Sequence, residues 1–186
     1  MRSAFLALLN PSEGSGSQPF VLLYAWHMAY VHVVRHGEVE NPEKILYGRQ
    51  PGWRLSTRGQ RMAETIATWS ESLDLGALHV SPLQRAQETA APIAKLHGID
   101  ITTDPQLIEA GNKFEGKKFD IGIGALRRPS AWRHLWNPWR PSWGEPYVEI
   151  VERMKSAIFA AHSAANGKDA LCVSHQLPIW IFRSFI

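Results

Sequence analysis

The chain has 186 residues, of which 45% are hydrophobic and 20% are charged, a composition typical of one globular domain with a substantial core. The net charge of +3 suits anionic small substrates but is too weak to indicate nucleic-acid binding. The single cysteine, Cys172, excludes an internal disulfide, and its apolar neighbours predict a buried structural thiol. No apolar run reaches the roughly 18 residues of a membrane-spanning helix, so we expect a cytoplasmic protein with no membrane partner.

The first 27 residues precede any segment with a clear strand or helix pattern. Residues 10–19 are rich in glycine, serine and proline, which is typical of a flexible linker. We interpret residues 1–27 as an extension outside the fold and place the domain in residues 28–186.

The first predicted strand is Val31–Val34, whose β-branched residues favour a buried strand. It runs into Arg35, His36 and Gly37, where a glycine allows the backbone to turn sharply. Ligands of open α/β sheets bind at the carboxyl ends of the strands. An arginine beside a histidine suits a phosphoryl group, because it places a permanent cation next to a nitrogen that can attack at neutral pH. A surface turn that carries these residues by chance fits this stretch equally well.

Two helices are predicted, one before and one after a short strand, Ala77–Val80. The sequence 57–60 has the form of a capping box. The apolar residues that follow it have helical spacing and predict a buried stripe: Met62, Ile66, Trp69 and Leu73. For the second helix, Ser81 is the predicted N-cap and Pro82 the first helical residue, and its predicted buried face comprises Leu83, Ala86, Ala90, Ile93 and His97.

Arg85 lies near the start of this second helix. A helix N-terminus favours an anion through its free N–H groups and its dipole, and Arg85 is within reach of such an anion. Taken by itself, however, the pattern fits a solvated helix arginine better.

The next segment combines a carboxylate with an irregular stretch. After a predicted strand, Ile101–Thr103, Glu109 follows two aliphatic residues. Residues 111–144 have no clear period and mix tryptophans with arginines and lysines. Such a mixture occurs in surfaces that stack nucleic-acid bases, but we interpret it as an irregular excursion packed over a site, with its arginines shaping the entrance.

The last part of the chain predicts a helix, a strand and a further histidine. The sequence 142–145 has capping-box form, and helical spacing follows from Tyr147 to Ala161. Asn166 and Gly167 predict the helix end. The apolar segment 170–173 predicts a buried strand, which runs into His175.

Strands that alternate with helices predict a three-layer α/β sandwich with a mostly parallel central sheet flanked by helices. Three of the strand ends carry Arg35–His36, Ser81–Arg85 and His175. Because parallel strands end at the same edge of the sheet, we expect these residues to form a cationic pocket.

In this order, these motifs resemble those of the histidine phosphatase superfamily, in its phosphoglycerate mutase-like branch 1. The resemblance covers the chain from Met28 to its end. The segments that carry it are Val34–Glu38, Leu55–Gly59, Ser81–Ala90, Glu109 with Phe114–Gly116, and Val173–His175. Family members usually continue with another helix and strand, so the resemblance also implies that this chain is truncated beyond Ile186.

The resemblance implies a role for each site residue. His36 would attack phosphorus and become a phosphohistidine, and Glu109 would protonate the leaving oxygen and then deprotonate the incoming water. We expect the pKa of Glu109 to be raised, because a neighbouring phosphate disfavours its ionised form. The phosphoryl oxygens and the rest of the substrate would be held by Arg35, Arg85, His175, Asn41 and Arg49. No metal or cofactor is implied.

The resemblance favours a phosphatase acting on a small phosphorylated metabolite. Mutases of the family typically follow the acidic glutamate with an arginine and a tyrosine that hold the substrate carboxylate, whereas this chain has Ala110, Gly111 and Asn112. Two alternatives remain open. One is phosphoglycerate mutase-type phosphoryl transfer, and the other is a non-catalytic relative that binds phosphoesters.

Overall fold

The computed structural model describes residues 29–112, 115–116 and 144–185. In chain order the elements are β1 (Val31–Arg35), α1 (Thr57–Ser70), β2 (Leu75–Val80), α2 (Gln84–His97), β3 (Ile101–Thr103), a 3₁₀ helix (Pro105–Leu107), α3 (Tyr147–Ala164), β4 (Asp169–Ser174) and α4 (Gln176–Phe185). The predicted extension 1–27 and most of the predicted excursion 111–144, including all its arginines, lie outside the described residues. None of the helices in the described ranges is long and apolar enough to cross a membrane.

The described strands form one parallel four-stranded sheet in the order β1-β4-β2-β3. Helices α1 and α2 pack on one face, where Ile93 belongs to the same buried cluster as Leu171 and Val173. Helices α3 and α4 pack on the other face around Met154 and Ile181. The predicted α/β architecture with a parallel sheet is confirmed.

Burial differs between the central and outer strands. All of β4 is buried, including Cys172, whose thiol pKa is raised to about 12 by burial. The prediction of a buried structural thiol is therefore confirmed. The prediction that Val31–Val34 is buried is wrong, because β1 lies at the edge of the described sheet and these residues are only half-buried.

Helix α1 buries small residues rather than large ones. Its buried positions are Gly59, Ala63, Ala67 and Ser70. The predicted stripe is only half right, since Ile66 and Leu73 pack partly buried against the core, whereas Met62 and Trp69 are 41% and 50% exposed. The small residues allow α1 to pack closely against α2. The hydrophobic pattern shows where the large apolar side chains are but not which face of α1 is covered by α2.

The predicted N-caps are wrong, although α1 and α3 lie where helical spacing was predicted. The N-cap of α1 is Ser56, whose hydroxyl oxygen accepts a hydrogen bond from the Gly59 N–H at 3.0 Å. Helix α2 begins only at Gln84, and the hydroxyl of Ser81 contacts the Nε2 of His175 instead of capping this helix. Helix α3 begins at Tyr147, and its N-cap is Pro146 rather than a residue of the predicted 142–145 box. Its predicted end is confirmed, since Asn166 and Gly167 adopt positive φ.

Gly37 is required for close packing rather than for an unusual φ. Its backbone is outside the left-handed region, but an added Cβ would lie 2.5 Å from the carbonyl oxygen of Gly59. The absence of a Cβ thus lets the turn after β1, which carries His36, approach the start of α1 closely.

We therefore expect Gly37→Ala to lower the free energy of unfolding by about 1–3 kcal/mol, the usual cost of overpacking. The matched control is Gly111→Ala, whose Cβ would meet Arg49 at an ordinary 3.5 Å. This control should change stability by less than about 0.5 kcal/mol. Chemical denaturation measures both, and equal effects of the two variants would contradict the close-packing argument.

Candidate active site

The carboxyl ends of β1, β2 and β4 bring three side chains together. The rings of His36 and His175 lie 5.0 Å apart between centroids, and the Nε of Arg85 is 3.3 Å from the Nε2 of His36. His36 is 3% exposed, and Arg85 and His175 are fully buried. The structure thus brings together three of the residues that the sequence placed at one sheet edge.

The hydrogen bonds of His36 define its tautomer. Its Nδ1 lies 2.7 Å from the carbonyl oxygen of Gly37, and because a carbonyl only accepts, Nδ1 carries the proton. The pKa of His36 is lowered to about 4, mainly by burial and also by the charges of Arg85 and Arg35, in spite of this hydrogen bond. His36 is therefore neutral at pH 7, and its Nε2 carries a lone pair that faces Arg85.

His175 is held by a buried serine. The hydroxyl of Ser81 lies 2.7 Å from the Nε2 of His175, and both residues are fully buried. Burial, followed by the nearby charge of Arg85, lowers the pKa of His175 to about 2, so this ring is neutral too. Its Nδ1 is buried and has no hydrogen-bond partner among the described residues. When the Ser81 hydroxyl donates to Nε2, this Nδ1 carries the proton and is a free donor.

The plainer interpretation of Arg85 as a solvated helix residue is wrong. Its guanidinium donates from Nη2 to the carbonyl oxygen of Gly48 at 2.7 Å, and it lies 4.7 Å from the centre of the Tyr47 ring. Burial lowers the pKa of Arg85, but an arginine remains charged in a protein. A buried cation therefore faces the lone pair of His36.

Glu109 and Arg35 line one cavity of about 710 Å³ beside this cluster. Glu109 accepts a hydrogen bond from the Ala110 N–H at 2.8 Å. Burial raises the pKa of Glu109, against the opposing effects of this bond and of Arg85. The predicted direction agrees with the structure, although burial rather than a neighbouring phosphate is the cause here.

The structure places Asn41 and Arg49 differently. Asn41 lines the cavity, but its amide donates to and accepts from the backbone of Ile45 at 2.8 and 2.9 Å. Arg49 lies behind Glu109, where it donates to the Glu109 carbonyl oxygen and to the carboxylate of Glu145, both at 2.7 Å. Arg49 is therefore not among the residues that line the cavity, and substrate contacts by these two residues stay predictions.

The sequence pattern did not indicate the residues that support Glu109. Glu145 also pairs with Arg153, whose Nη1 donates to the carbonyl oxygen of Ile108 at 2.7 Å. Together with Arg49, these residues fix the backbone on both sides of Glu109. Their charges alternate in sign, but they are far apart in sequence, and the capping-box pattern gave Glu145 another explanation. Ser81 was missed for the same reason.

Comparison with known proteins shows the family. Residues 31–186 match the sequence profile of the histidine phosphatase superfamily (branch 1). The chain belongs to this superfamily. Among the relatives of this histidine phosphatase superfamily member is the uncharacterized protein Rv0525 of Mycobacterium tuberculosis. It is 53% identical over 84% of this chain and 77% of its own length.

Two further comparisons agree with this assignment. The probable phosphoglycerate mutase GpmB of Escherichia fergusonii is 32% identical over 86% of this chain and 75% of its own length. The structure of Bacillus stearothermophilus YhfR superimposes with a TM-score of 0.70 at 26% identity, covering 83% of this chain and 78% of that chain.

The buried histidines predict a loss of stability in acid. Both have an ordinary pKa of 6.5 in the unfolded chain and lower values, about 4 and about 2, in the folded protein. The unfolded state therefore binds more protons below pH 6.5, and stability falls as pH drops below that value. We expect each histidine to contribute up to about 1.4 kcal/mol per pH unit in this window.

Denaturation of His36→Gln and of wild type at about pH 7 and about pH 5 would measure this contribution. The variant should show a shallower pH dependence than wild type. The matched control His162→Gln removes an exposed histidine on α3 and should keep the wild-type slope. Identical slopes for all three proteins would contradict the assignment of the effect to His36.

Proposed function

We propose that this protein is a metal-independent phosphatase that hydrolyses a small phosphomonoester through a phosphohistidine on His36. The observation that carries the proposal is the fixed tautomer of His36. Its protonated Nδ1 is bound to the Gly37 carbonyl, so its unprotonated Nε2 is presented to the site beside Arg85. A nucleophilic nitrogen next to a permanent cation suits attack on a phosphoryl group.

In the first half-reaction, Nε2 forms a bond to phosphorus while the bond from phosphorus to the alcohol oxygen breaks. Glu109 donates its proton to that oxygen, and its raised pKa favours the protonated form that this step needs. In the second half-reaction, the Glu109 carboxylate takes a proton from water, the water oxygen bonds to phosphorus, and the bond to Nε2 breaks. Inorganic phosphate leaves, and both residues return to their starting states.

Three groups are positioned to stabilise the charge on the phosphoryl oxygens. Arg85 beside the Nε2 of His36 and Arg35 in the cavity lining provide cations. The Nδ1 of His175, which has no hydrogen-bond partner among the described residues, provides a neutral donor when Ser81 donates to Nε2. Preformed donors in a buried site stabilise a transition state without reorganisation at the moment of reaction. These groups support the proposal because phosphoryl transfer depends mainly on positioning and electrostatics.

A second candidate is phosphoglycerate mutase-type transfer, which the similarity to the Escherichia fergusonii relative favours. Against it, the described cavity lining after Glu109 carries Ala110 and Asn112, where mutases of the family have an arginine that holds the substrate carboxylate. A mutase must retain its product between two transfers, whereas a hydrolase must admit water. We therefore favour hydrolysis.

The test is release of nitrophenol from para-nitrophenyl phosphate in the presence of a chelator, with alkaline quenching to trap the labelled phosphohistidine. Turnover that persists with chelator and a trapped label on His36 would support the proposal. Turnover that requires a divalent metal would overturn the mechanism. Phosphoglycerate primed with a bisphosphoglycerate would distinguish the candidates, because a mutase forms the isomer and a phosphatase forms inorganic phosphate.

A further inference from the structure

The cavity that contains Glu109 and Arg35 is larger than a phosphoryl group requires. At about 710 Å³ it has the size of pockets that enclose a whole small molecule. This inference rests on the proposed function, under which the remaining space holds the alcohol portion of the phosphomonoester. The residues of that space therefore carry information about the substrate.

The surface of the remaining space is mainly apolar, although Asn41, Asn112 and Gln176 also line the cavity. One wall is the segment Ile45–Tyr47 that follows the turn after β1, and the other is the start of α4, with Leu177 and Trp180. The charged side chains in the described lining are Arg35, Glu109 and Lys44. The first two are assigned to the phosphoryl group, and Lys44 is exposed at the rim.

The first wall is fixed before any substrate binds. The Asn41 amide holds the Ile45 backbone through two hydrogen bonds. Arg85 anchors the other end through the Gly48 carbonyl and the Tyr47 ring. Because the same arginine also faces His36, the apolar wall and the nucleophile share one rigid support. A preformed wall costs little ordering on binding.

The second wall presents an aromatic surface to solvent. Trp180 is 60% exposed although it is a large apolar residue, and Leu177 lies one helical turn before it on the same face of α4. A flat apolar group between this indole and Ile45 would remove both from water. Aromatic side chains bury a large apolar area when they stack on such a group, and aromatic pairs add further stabilisation.

We propose that this apolar subsite, formed by Ile45, Leu46, Tyr47, Leu177 and Trp180, binds an apolar and preferably aromatic leaving group. The substrate class is then a phosphomonoester of an aryl-bearing alcohol, in preference to a phosphorylated carboxylic acid or polyol. Lys44 at the rim can contact a polar end of such a molecule.

The experiment compares two alkyl esters with similar leaving oxygens, 2-phenylethyl phosphate and phosphoglycerate. In wild type, kcat/KM should be about ten-fold or more higher for the phenylethyl ester, the discrimination that a hydrophobic pocket typically gives. Trp180→Ala should reduce the ratio of the two kcat/KM values to near one, while Trp180→Phe should restore most of the preference.

The matched control is Trp69→Ala, which removes an exposed tryptophan on α1 far from this cavity and should leave the ratio unchanged. Phosphoglycerate preferred by wild type, or an unchanged ratio in Trp180→Ala, would overturn the subsite. Hydrolysis of neither ester would count against the proposed function instead. In that case, calorimetry with benzylphosphonate and methylphosphonate would still test the subsite, because only the former contacts it and should bind about ten-fold tighter. Equal affinities would overturn it.

Discussion

His36→Ala should hydrolyse para-nitrophenyl phosphate more slowly than wild type by a factor on the order of 10⁴ or more, as expected when a covalent nucleophile is removed. The cause is specific to one atom. The Nε2 of His36 is the group that would form the bond to phosphorus, and it is kept unprotonated by burial and by the tautomer that the Gly37 carbonyl imposes. Steady-state release of nitrophenol measures the loss, and alkaline trapping should detect no label in the variant.

The matched control is His162→Ala, which removes an exposed histidine on α3 and should retain wild-type rates and labelling. Circular dichroism would establish that His36→Ala is folded, since the substitution also removes the hydrogen bond to Gly37. Activity in His36→Ala above about a tenth of wild type, or a trapped label on His175, would contradict the assignment of the nucleophile.

The positions of the candidate site residues were predictable because these residues lie at the ends of strands. Runs of β-branched residues indicate the strands, and the parallel arrangement brings their carboxyl ends together. This is why the sequence alone assigns His36, His175 and Arg85 to one edge of the sheet. The distances between them, and the proton position on His36, depend on contacts such as the Gly37 carbonyl that no spacing indicates.

The partners of Ser81 and Glu145 could not be predicted, because each residue fits both a local helix cap and a long-range contact. Ser81 precedes a proline and has the pattern of a helix cap, but its hydroxyl is engaged by His175 from β4. Glu145 also fits a cap, but it pairs with Arg49 and Arg153. In each case a long-range partner prevails over a local one, and a single sequence shows only the local one.

The burial of Arg85 illustrates the same limit for charge. An arginine on a helix is most often solvated, and its immediate neighbours do not indicate otherwise. Its burial is made possible by the Gly48 carbonyl and the Tyr47 ring, which come from a segment almost forty residues earlier in the chain. The strand ends placed Arg85 at the edge of the sheet, and the family resemblance gave it a role there, but neither predicted that it is buried.

Glu109→Gln should separate the two halves of the proposed reaction. With an alkyl phosphate, kcat/KM should fall by about 10²–10⁴, the usual contribution of a general acid, because the alcohol oxygen must be protonated as it leaves. With para-nitrophenyl phosphate, whose leaving group is a stable anion, formation of the phosphohistidine should be nearly unaffected. Its hydrolysis should still be slow, because no carboxylate is present to activate water.

The variant should therefore release a rapid burst of about one nitrophenol per active site and then turn over slowly, as expected when a covalent intermediate accumulates. Stopped-flow absorbance measures the burst, and alkaline quenching should trap more label than in wild type. Glu149→Gln, which neutralises an exposed carboxylate in the first turn of α3, is the control and should behave as wild type. Equal losses for both esters without a burst would contradict the role of Glu109.

The pH dependence gives an independent check on the same residue. In the proposed reaction, Glu109 donates a proton only when it is protonated. Burial raises its pKa, so kcat/KM for an alkyl ester should fall as pH rises through that pKa. In the same proposal His36 attacks only when it is neutral, so the acid limb should follow its pKa of about 4. In Glu109→Gln the basic limb should disappear and the acid limb should remain. The selective loss of the basic limb is expected only if residue 109 donates a proton. If Glu109 had a purely structural role, replacing it by Gln would lower the whole pH profile without changing its shape.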